Sequence, residues 1–284
     1  MGRAGWGFTF VPMNLYDKIQ ATKLAIQQQI TTTPEIAIIL GSGLGGLTEV
    51  VETEKEINYS DIPHFPLATV EGHAGKVVFG KLGGKNVIML AGRFHYYEGY
   101  DMEAITFPVR VAKALGAHTI IVSNAAGGMN ATYKIGDIVA ITDHINLFPE
   151  HPLRGPNDDR LGTRFPDMSE PYDKKLVNLA QSIGNEQGLD IKRGVYIGLT
   201  GPTFETPAEY KWLHTIGGDL VGMSTVPEVI VARHSSMRVF ATSVVTDLGI
   251  PGHVETITHE EVLAAANAAA PKLARLVQTL IERM

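Results

Sequence analysis

Cysteine is absent from all 284 residues. This removes disulfides, thiolate metal sites and thiol nucleophiles together, and it fits a reducing, cytoplasmic setting. Apolar runs are short. None approaches the roughly 18 residues of a membrane span, and the leading MGRAGWGFTFVPM lacks the apolar stretch of a signal peptide, so no membrane partner is expected. Basic residues are outnumbered, 24 Lys plus Arg against 30 Asp plus Glu, for a net charge of −6. Without a dense Lys/Arg run, nucleic acid is not expected as a partner, and any bound anion has to be held by local geometry. No Ser/Gly-rich linker, charge block or solenoid-period repeat divides the chain. One domain over residues 13–284 is expected, with residues 1–12 read as a leader segment ahead of Met13. There is no G-x-S-x-G elbow, no H-E-x-x-H and no His/Asp spacing that marks a metal site.

What is present is a large core: 44% hydrophobic residues let a chain of this length bury about 75% of its unfolded surface. Short β-branched runs at Ile36–Leu40, Val87–Ala91, Thr119–Val122, Ile138–Thr142, Val195–Leu199, Leu220–Val221 and Val239–Val245 read as strands. Helical patterns cover Leu15–Gln29, Met102–Leu115, Lys174–Gln187, Pro207–Ile216, Glu228–Ser235 and Glu260–Arg283. Apolar strands separated by helices predict an α/β fold: a mixed, largely parallel central sheet with helices on both faces. Ligands of such sheets collect at the carboxyl ends of strands, and here those ends carry the unusual residues.

Gly41-Ser42-Gly43-Leu44-Gly45-Gly46 follows a strand and matches G-x-G-x-x-G. A dinucleotide site would need a helix and then a second apolar strand ending in an acid. The chain instead runs LTEVVETEKEINYSDIPHFP, with no apolar strand expected before Asp61. What remains is a set of backbone N–H donors and the Ser42 hydroxyl for an anion, or else a tight turn without a ligand. Arg93, His95 and Tyr97 are spaced by two, so an extended backbone would point all three to one face. They suit a phosphate and a neighbouring sugar, although an arginine there also suits a structural carboxylate. Asn124–Gly128 exposes backbone donors or serves close packing. Ser224 offers another donor, and Met223 an apolar face or a core side chain.

In GPTFETPAE, Thr206 and Glu209 form a capping box with Pro207 at the first helical position, which pins the preceding Phe204 and Glu205. The pair suits a flat heterocycle with a ring N–H; equally, Glu205 is an acid favoured by the helix dipole. Thr258 and Glu261 form a second box, with His259 in the first turn.

ILGSGLGGL, TVEGHAGKVVFG, LAGRFHYYEGY, SNAAGGMN, GPTFETPAEY and GMSTVPEVIVARH occur in that order. Together they resemble the trimeric purine nucleoside phosphorylases from about Ile36 to the C-terminal helix. The resemblance implies a phosphate site of Ser42, His73, Arg93, His95, the Ala125 amide and Ser224. It implies a ribose site of Tyr97, Met223 and His259, and a base site of Phe204, Glu205 and Asp247. Glu205, Asp247 and His95 would be the catalytic groups. Phe165, in the long loop from Phe148 to Tyr172, would close the site of a neighbouring subunit. The implied reaction is reversible phosphorolysis of purine (deoxy)ribonucleosides, inosine and guanosine foremost, by a homotrimer. Inorganic phosphate is the co-substrate, and neither metal nor organic cofactor is needed.

One position departs from that pattern. Family members specialised for 6-oxopurines usually carry Asn where Asp247 stands, because an amide both accepts from N7–H and donates to O6. An ionised aspartate favours a 6-amino group instead, unless burial keeps it protonated. The related methylthioadenosine phosphorylases have an acid here. The alternatives are therefore a methylthioadenosine- or adenosine-preferring phosphorylase and, from a different class, a non-catalytic purine and phosphate sensor.

Overall fold

Successive residues of a strand point to opposite sides of a sheet, and in this chain both sides are buried. Ala37 and Ile39 join one hydrophobic cluster while Ile36, Ile38 and Leu40 join another; Val239 and Ala241 divide from Phe240 in the same way. That is why the runs are continuously apolar rather than alternating. The computed structural model describes residues 13–42, 45–67, 69, 74–250, 253–254 and 256–284.

In chain order the elements are α1 (Leu15–Gln27), β1 (Ile36–Ile39), β2 (Glu52–Asn58), β3 (Lys76–Leu82), β4 (Lys85–Ala91), α2 (Met102–Leu115) and β5 (Thr119–Gly128). Then come β6 (Ile138–Asn146), α3 (Lys174–Glu186), β7 (Lys192–Gly198), α4 (Pro207–Thr215), β8 (Leu220–Gly222), α5 (Val226–His234), β9 (Arg238–Ile250), β10 (His253–Val254) and α6 (His259–Arg283). The sheet order is β10-β9-β6-β7-β8-β5-β1-β4-β3-β2, and β9 also pairs with β5. The second pairing closes β5, β9, β6, β7 and β8 into a ring, from which β1, β4, β3 and β2 extend as an open wing. Parallel pairs join β1 to β4 and β5, β5 to β9, and β7 to β6 and β8. Antiparallel pairs form the β2–β3–β4 meander and the contacts β5–β8, β6–β9 and β9–β10. Residues of α1, α2 and α5 cover one face, and those of α3 and α6 the other.

The expected helices form with ends shifted by two residues at most, and both capping boxes are present, at Thr206/Glu209 and Thr258/Glu261. Three strands were not legible as apolar runs. β2 lies in the stretch where no apolar strand was expected before Asp61; it is polar, exposed over Glu52–Glu56, and buries only Ile57. It sits at the sheet edge, antiparallel to β3 and far from β1 in strand order. A dinucleotide fold would need it parallel beside β1, so the glycine-rich loop has no such context. β3 carries Lys at both Lys76 and Lys81, which obscures its apolar centre, and β10 has only two residues. Among the described residues no helix is long and apolar enough to cross a membrane. Residues 1–12 lie outside the described residues.

Phe240 is fully buried against the α3 and α6 side of the sheet. Phe240→Ala is expected to lower the unfolding free energy by about 3–5 kcal/mol, read as a lower urea midpoint at unchanged m-value.

Candidate active site

β5 and β9 pair in parallel through ten register positions, with one irregularity: Ala126 faces Val245, but Gly127 faces Asp247. Thr246 is the extra residue. Such a bulge bends its strand and re-aims side chains, and here Thr246 and Asp247, neighbours in sequence, both line one cavity. The residues expected in loops after the third and seventh apolar runs therefore lie inside strands, because this pairing carries both strands beyond the points where their apolar runs end.

The cavity measures about 420 Å³. Around it stand Ser42, Arg93, His95, Tyr97, Ala125, Phe204, Glu205, Met223, Ser224, Asp247 and His259. Arg93 and Glu205, 112 positions apart in sequence, thus share one chamber. His73 lies outside the described residues. Phe165 does not join the cavity; it is 86% exposed and lines a separate hollow with Arg164, His144 and Met168.

One group of side chains is cationic and rich in donors. Arg93 is buried; its Nη1 donates to Ser224 Oγ at 2.6 Å and to Thr225 Oγ1 at 3.2 Å, and its Nη2 to the Ser123 carbonyl at 2.7 Å. Its Nε lies 3.6 Å from Glu228 Oε1, and both side chains are about 3% exposed. Arg93 therefore has the structural carboxylate and the cavity position at once. Thr225, at φ 71°, holds a left-handed conformation that costs a β-branched residue on the order of 1–3 kcal/mol. That conformation delivers its hydroxyl to Arg93 and to Asn124 Nδ2, 2.9 Å away.

His95 and Tyr97 reach the cavity by a different route from the extended backbone expected. The chain stays extended through His95 and then tightens into a 3₁₀ turn over Tyr96–Glu98. The Tyr97 ring folds back to stack on His95, with centroids 4.7 Å apart and planes 14° apart. Glu98 accepts from the His95 amide at 2.7 Å and bonds Nδ1 at 2.9 Å, which fixes the imidazole. Burial works to raise the Glu98 carboxyl, but hydrogen bonds from His95 and Thr69 outweigh it and hold it at about 2. Burial pushes the Tyr97 phenol up to about 12, so it stays a hydrogen-bond donor.

The second group is acidic. Glu205 precedes α4, whose start is pinned by Glu209 accepting from the Thr206 amide at 2.7 Å. Burial pushes the Glu205 carboxyl up to about 6. Burial also raises Asp247, against the pull of hydrogen bonds from Thr246 at 2.9 Å and Tyr210 at 3.2 Å. Tyr210 is buried on α4, where burial and the charges of Asp247 and Glu205 push its phenol up. Two glycines make room for this cluster: a Cβ on Gly249 would stand 2.0 Å from the Tyr210 ring, and one on Gly127 2.9 Å from Asp247 Oδ2. Reading along the sequence passed over Tyr210, Thr225, Thr246, Glu98 and Glu228. Thr246 beside Asp247 and Tyr210 one step past the capping glutamate carried the only local signals.

The sequence profile of the phosphorylase superfamily matches residues 35–282. The chain belongs to that superfamily. Within it, the chain is 49% identical over 259 residues to purine nucleoside phosphorylase 1 of Geobacillus stearothermophilus, covering 91% of this chain and 94% of the relative. It is 47% identical to purine nucleoside phosphorylase of Rattus norvegicus, covering 94% and 95%. The crystal structure of Schistosoma mansoni purine nucleoside phosphorylase in complex with adenosine superposes with a TM-score of 0.91 at 41% identity, covering 96% of this chain and 99% of that one. The inosine complex of the Schistosoma mansoni protein matches equally well. This member of the phosphorylase superfamily thus carries the family's single α/β domain, with an arginine-centred group and a carboxylate group facing one cavity.

Gly249→Ala would force the Tyr210 ring to move. It is expected to cost about 1–3 kcal/mol of stability and to lower tyrosine fluorescence polarisation, as chemical denaturation and fluorescence would show.

Proposed function

We propose that this protein catalyses the reversible phosphorolysis of purine nucleosides, giving free base and ribose 1-phosphate. The observation that carries the reading is the arrangement of opposite charges along β5. Asn124, beside the arginine group, and Gly127, beside Asp247, both line the cavity; three residues of strand separate them by about 10 Å. That distance accommodates a sugar between an oxyanion and a heterocycle.

In this proposal Arg93, Ser42, His95, the Ala125 amide and Ser224 hold phosphate, with His73 completing the set. Ser224 accepts from Arg93 and so keeps its own proton for the anion. Tyr97, Met223 and His259 hold the ribose. Phe204 packs on the purine, Glu205 accepts N1–H, and Asp247 faces N7 and the 6-substituent. As the glycosidic bond opens, positive charge on the sugar is opposed by the phosphate dianion, which becomes the nucleophile. Negative charge gathering on the purine is relieved by hydrogen bonding at N7. Inorganic phosphate is a co-substrate, and no metal or organic cofactor takes part. Phe165, exposed in one subunit, closes the cavity of its neighbour in a homotrimer. The missing cysteines suit work in the reducing cytoplasm.

Base release from inosine is expected to stop when phosphate is withheld; binding without phosphate-dependent turnover would favour a sensor. Because Glu205 must be ionised to accept N1–H and burial places it at about 6, inosine kcat/KM is expected to fall about tenfold per pH unit below that value. Glu205→Ala is expected to cost about 2–4 kcal/mol of transition-state stabilisation, a loss of roughly 30- to 1000-fold in kcat/KM, with the fold intact by circular dichroism. Asp247→Asn is expected to raise the inosine-to-adenosine ratio of kcat/KM by about tenfold or more; an unchanged ratio would mean that residue 247 does not face the 6-substituent.

A further inference from the structure

Behind the cationic group, hydrogen bonding fixes where two hydroxyl protons point. Ser224 and Asn124 line the cavity; Thr225, bonded to both, does not and is wholly buried. Thr225 Oγ1 meets three partners: Arg93 Nη1 at 3.2 Å, Asn124 Nδ2 at 2.9 Å and Ser224 Oγ at 3.1 Å. Guanidinium and amide nitrogens only donate. They fill both lone pairs of the Thr225 hydroxyl, whose own proton is left for Ser224 Oγ. Ser224 Oγ then accepts twice, from Thr225 and from Arg93 Nη1 at 2.6 Å. With both lone pairs engaged, Ser224 has only its proton to offer, and the cavity it lines is where a ligand would take it.

The backbone gives up ordinary stabilisation to reach this arrangement. Thr225 is the N-cap of α5, where a threonine hydroxyl usually accepts from an amide of the first turn. Here it makes no such bond, and Pro227 in that turn has no N–H to offer. The residue also sits at φ 71°, a left-handed conformation that is costly for a β-branched side chain. A hydroxyl held in a strained backbone and withheld from its own helix is instead shared among Arg93, Asn124 and Ser224. Two residues before Ser224, a Cβ on Gly222 would stand 2.4 Å from the Tyr196 phenol, which is buried and has no hydrogen-bond partner. With both Ser224 lone pairs filled, that phenol has nothing to donate to there.

We propose that Thr225 is a positioning residue of the anion site: it does not touch the ligand but commits the Ser224 proton to it. Asn124 takes part by filling the second lone pair of Thr225, so that the threonine proton has Ser224 as its acceptor. The proposal rests on the phosphate reading above and adds the residue that sets the direction of one donor. In consequence Ser224 donates to a deprotonated phosphate oxygen and cannot accept from a P–OH group. A serine with a vacant lone pair would serve either.

Calorimetry with inorganic phosphate reads the site directly. Thr225→Val keeps the branched shape and removes the hydroxyl; the phosphate Kd is expected to rise about tenfold or more, with KM for inosine at saturating phosphate within about twofold of native. Thr225→Ser keeps the hydroxyl and is expected to bind phosphate within about threefold of the native protein. Because Thr225 acts through Ser224, adding Thr225→Val to Ser224→Ala is expected to weaken phosphate binding by less than about threefold more. An unchanged Kd in Thr225→Val, a loss in Thr225→Ser as large as that in Thr225→Val, or a further loss of about tenfold in the Ser224→Ala background would overturn the proposal. So would a rise of about tenfold in Tyr196→Phe, which would send the Ser224 proton to that phenol instead. Neutron diffraction from the native phosphate complex tests the proposal without a variant. Deuterium is expected on Thr225 Oγ1 facing Ser224 and on Ser224 Oγ facing the anion; an Asn124 amide turned so that its oxygen accepts from Thr225 would overturn it. A native protein that binds no phosphate, or that releases no base from inosine in phosphate, would instead sink the phosphorolysis reading itself.

Discussion

The site depends on the parallel pairing of β5 with β9 and on the single residue, Thr246, that does not fit its register. The pairing brings Asn124 and Ala125 beside the arginine group and Gly127 beside the acids. The bulge turns Asp247 into the cavity next to Thr246, where strict alternation would send one of the two into the core. Remove that irregularity and the polar end of the cavity would lose either its carboxylate or the hydroxyl that holds it. Of the two strands, β5 is the one that joins the closed ring to the open wing through β1, and its ten-position pairing with β9 is the longest register in the sheet.

Buried charge in such a place has to be balanced locally. Arg93 is balanced by Glu228 and engaged by two hydroxyls and a carbonyl. Glu98 is stabilised as an anion by His95 and Thr69, which makes it a fixed brace rather than a titrating group. The Glu205–Asp247 pair lacks a comparable cation among its described partners and is raised by burial instead. One half of the cavity is therefore electrostatically settled, and in the other burial makes two carboxyls easier to protonate.

Much of this was legible in the amino-acid order. Periodicity located all six α-helices among the described residues, and seven of the strands, because those elements bury continuous or regularly spaced apolar faces. The capping boxes located the starts of α4 and α6, hence Glu205 and His259, because a cap is satisfied by residues three apart. β2 was missed because an edge strand buries one residue and is held by backbone hydrogen bonds that any side chain permits. The route of Tyr97 was missed because a 3₁₀ turn over Tyr96–Glu98 depends on Glu98 reaching back to His95, which spacing by two does not reveal.

Local chemistry determined the composition of each rim segment: the glycines that admit close backbone approach, the arginine and imidazole beyond one strand, and the pinned Phe-Glu pair beyond another. These follow from residue type and near neighbours, which a chain carries wherever it folds. Only the tertiary structure decided that Tyr210 donates to Asp247, that Glu228 lies beside Arg93, and that Phe165 lines a hollow separate from the cavity. Those relations join segments tens of residues apart through strand register and helix packing. Register is set by how the whole sheet closes, so no window of sequence contains it.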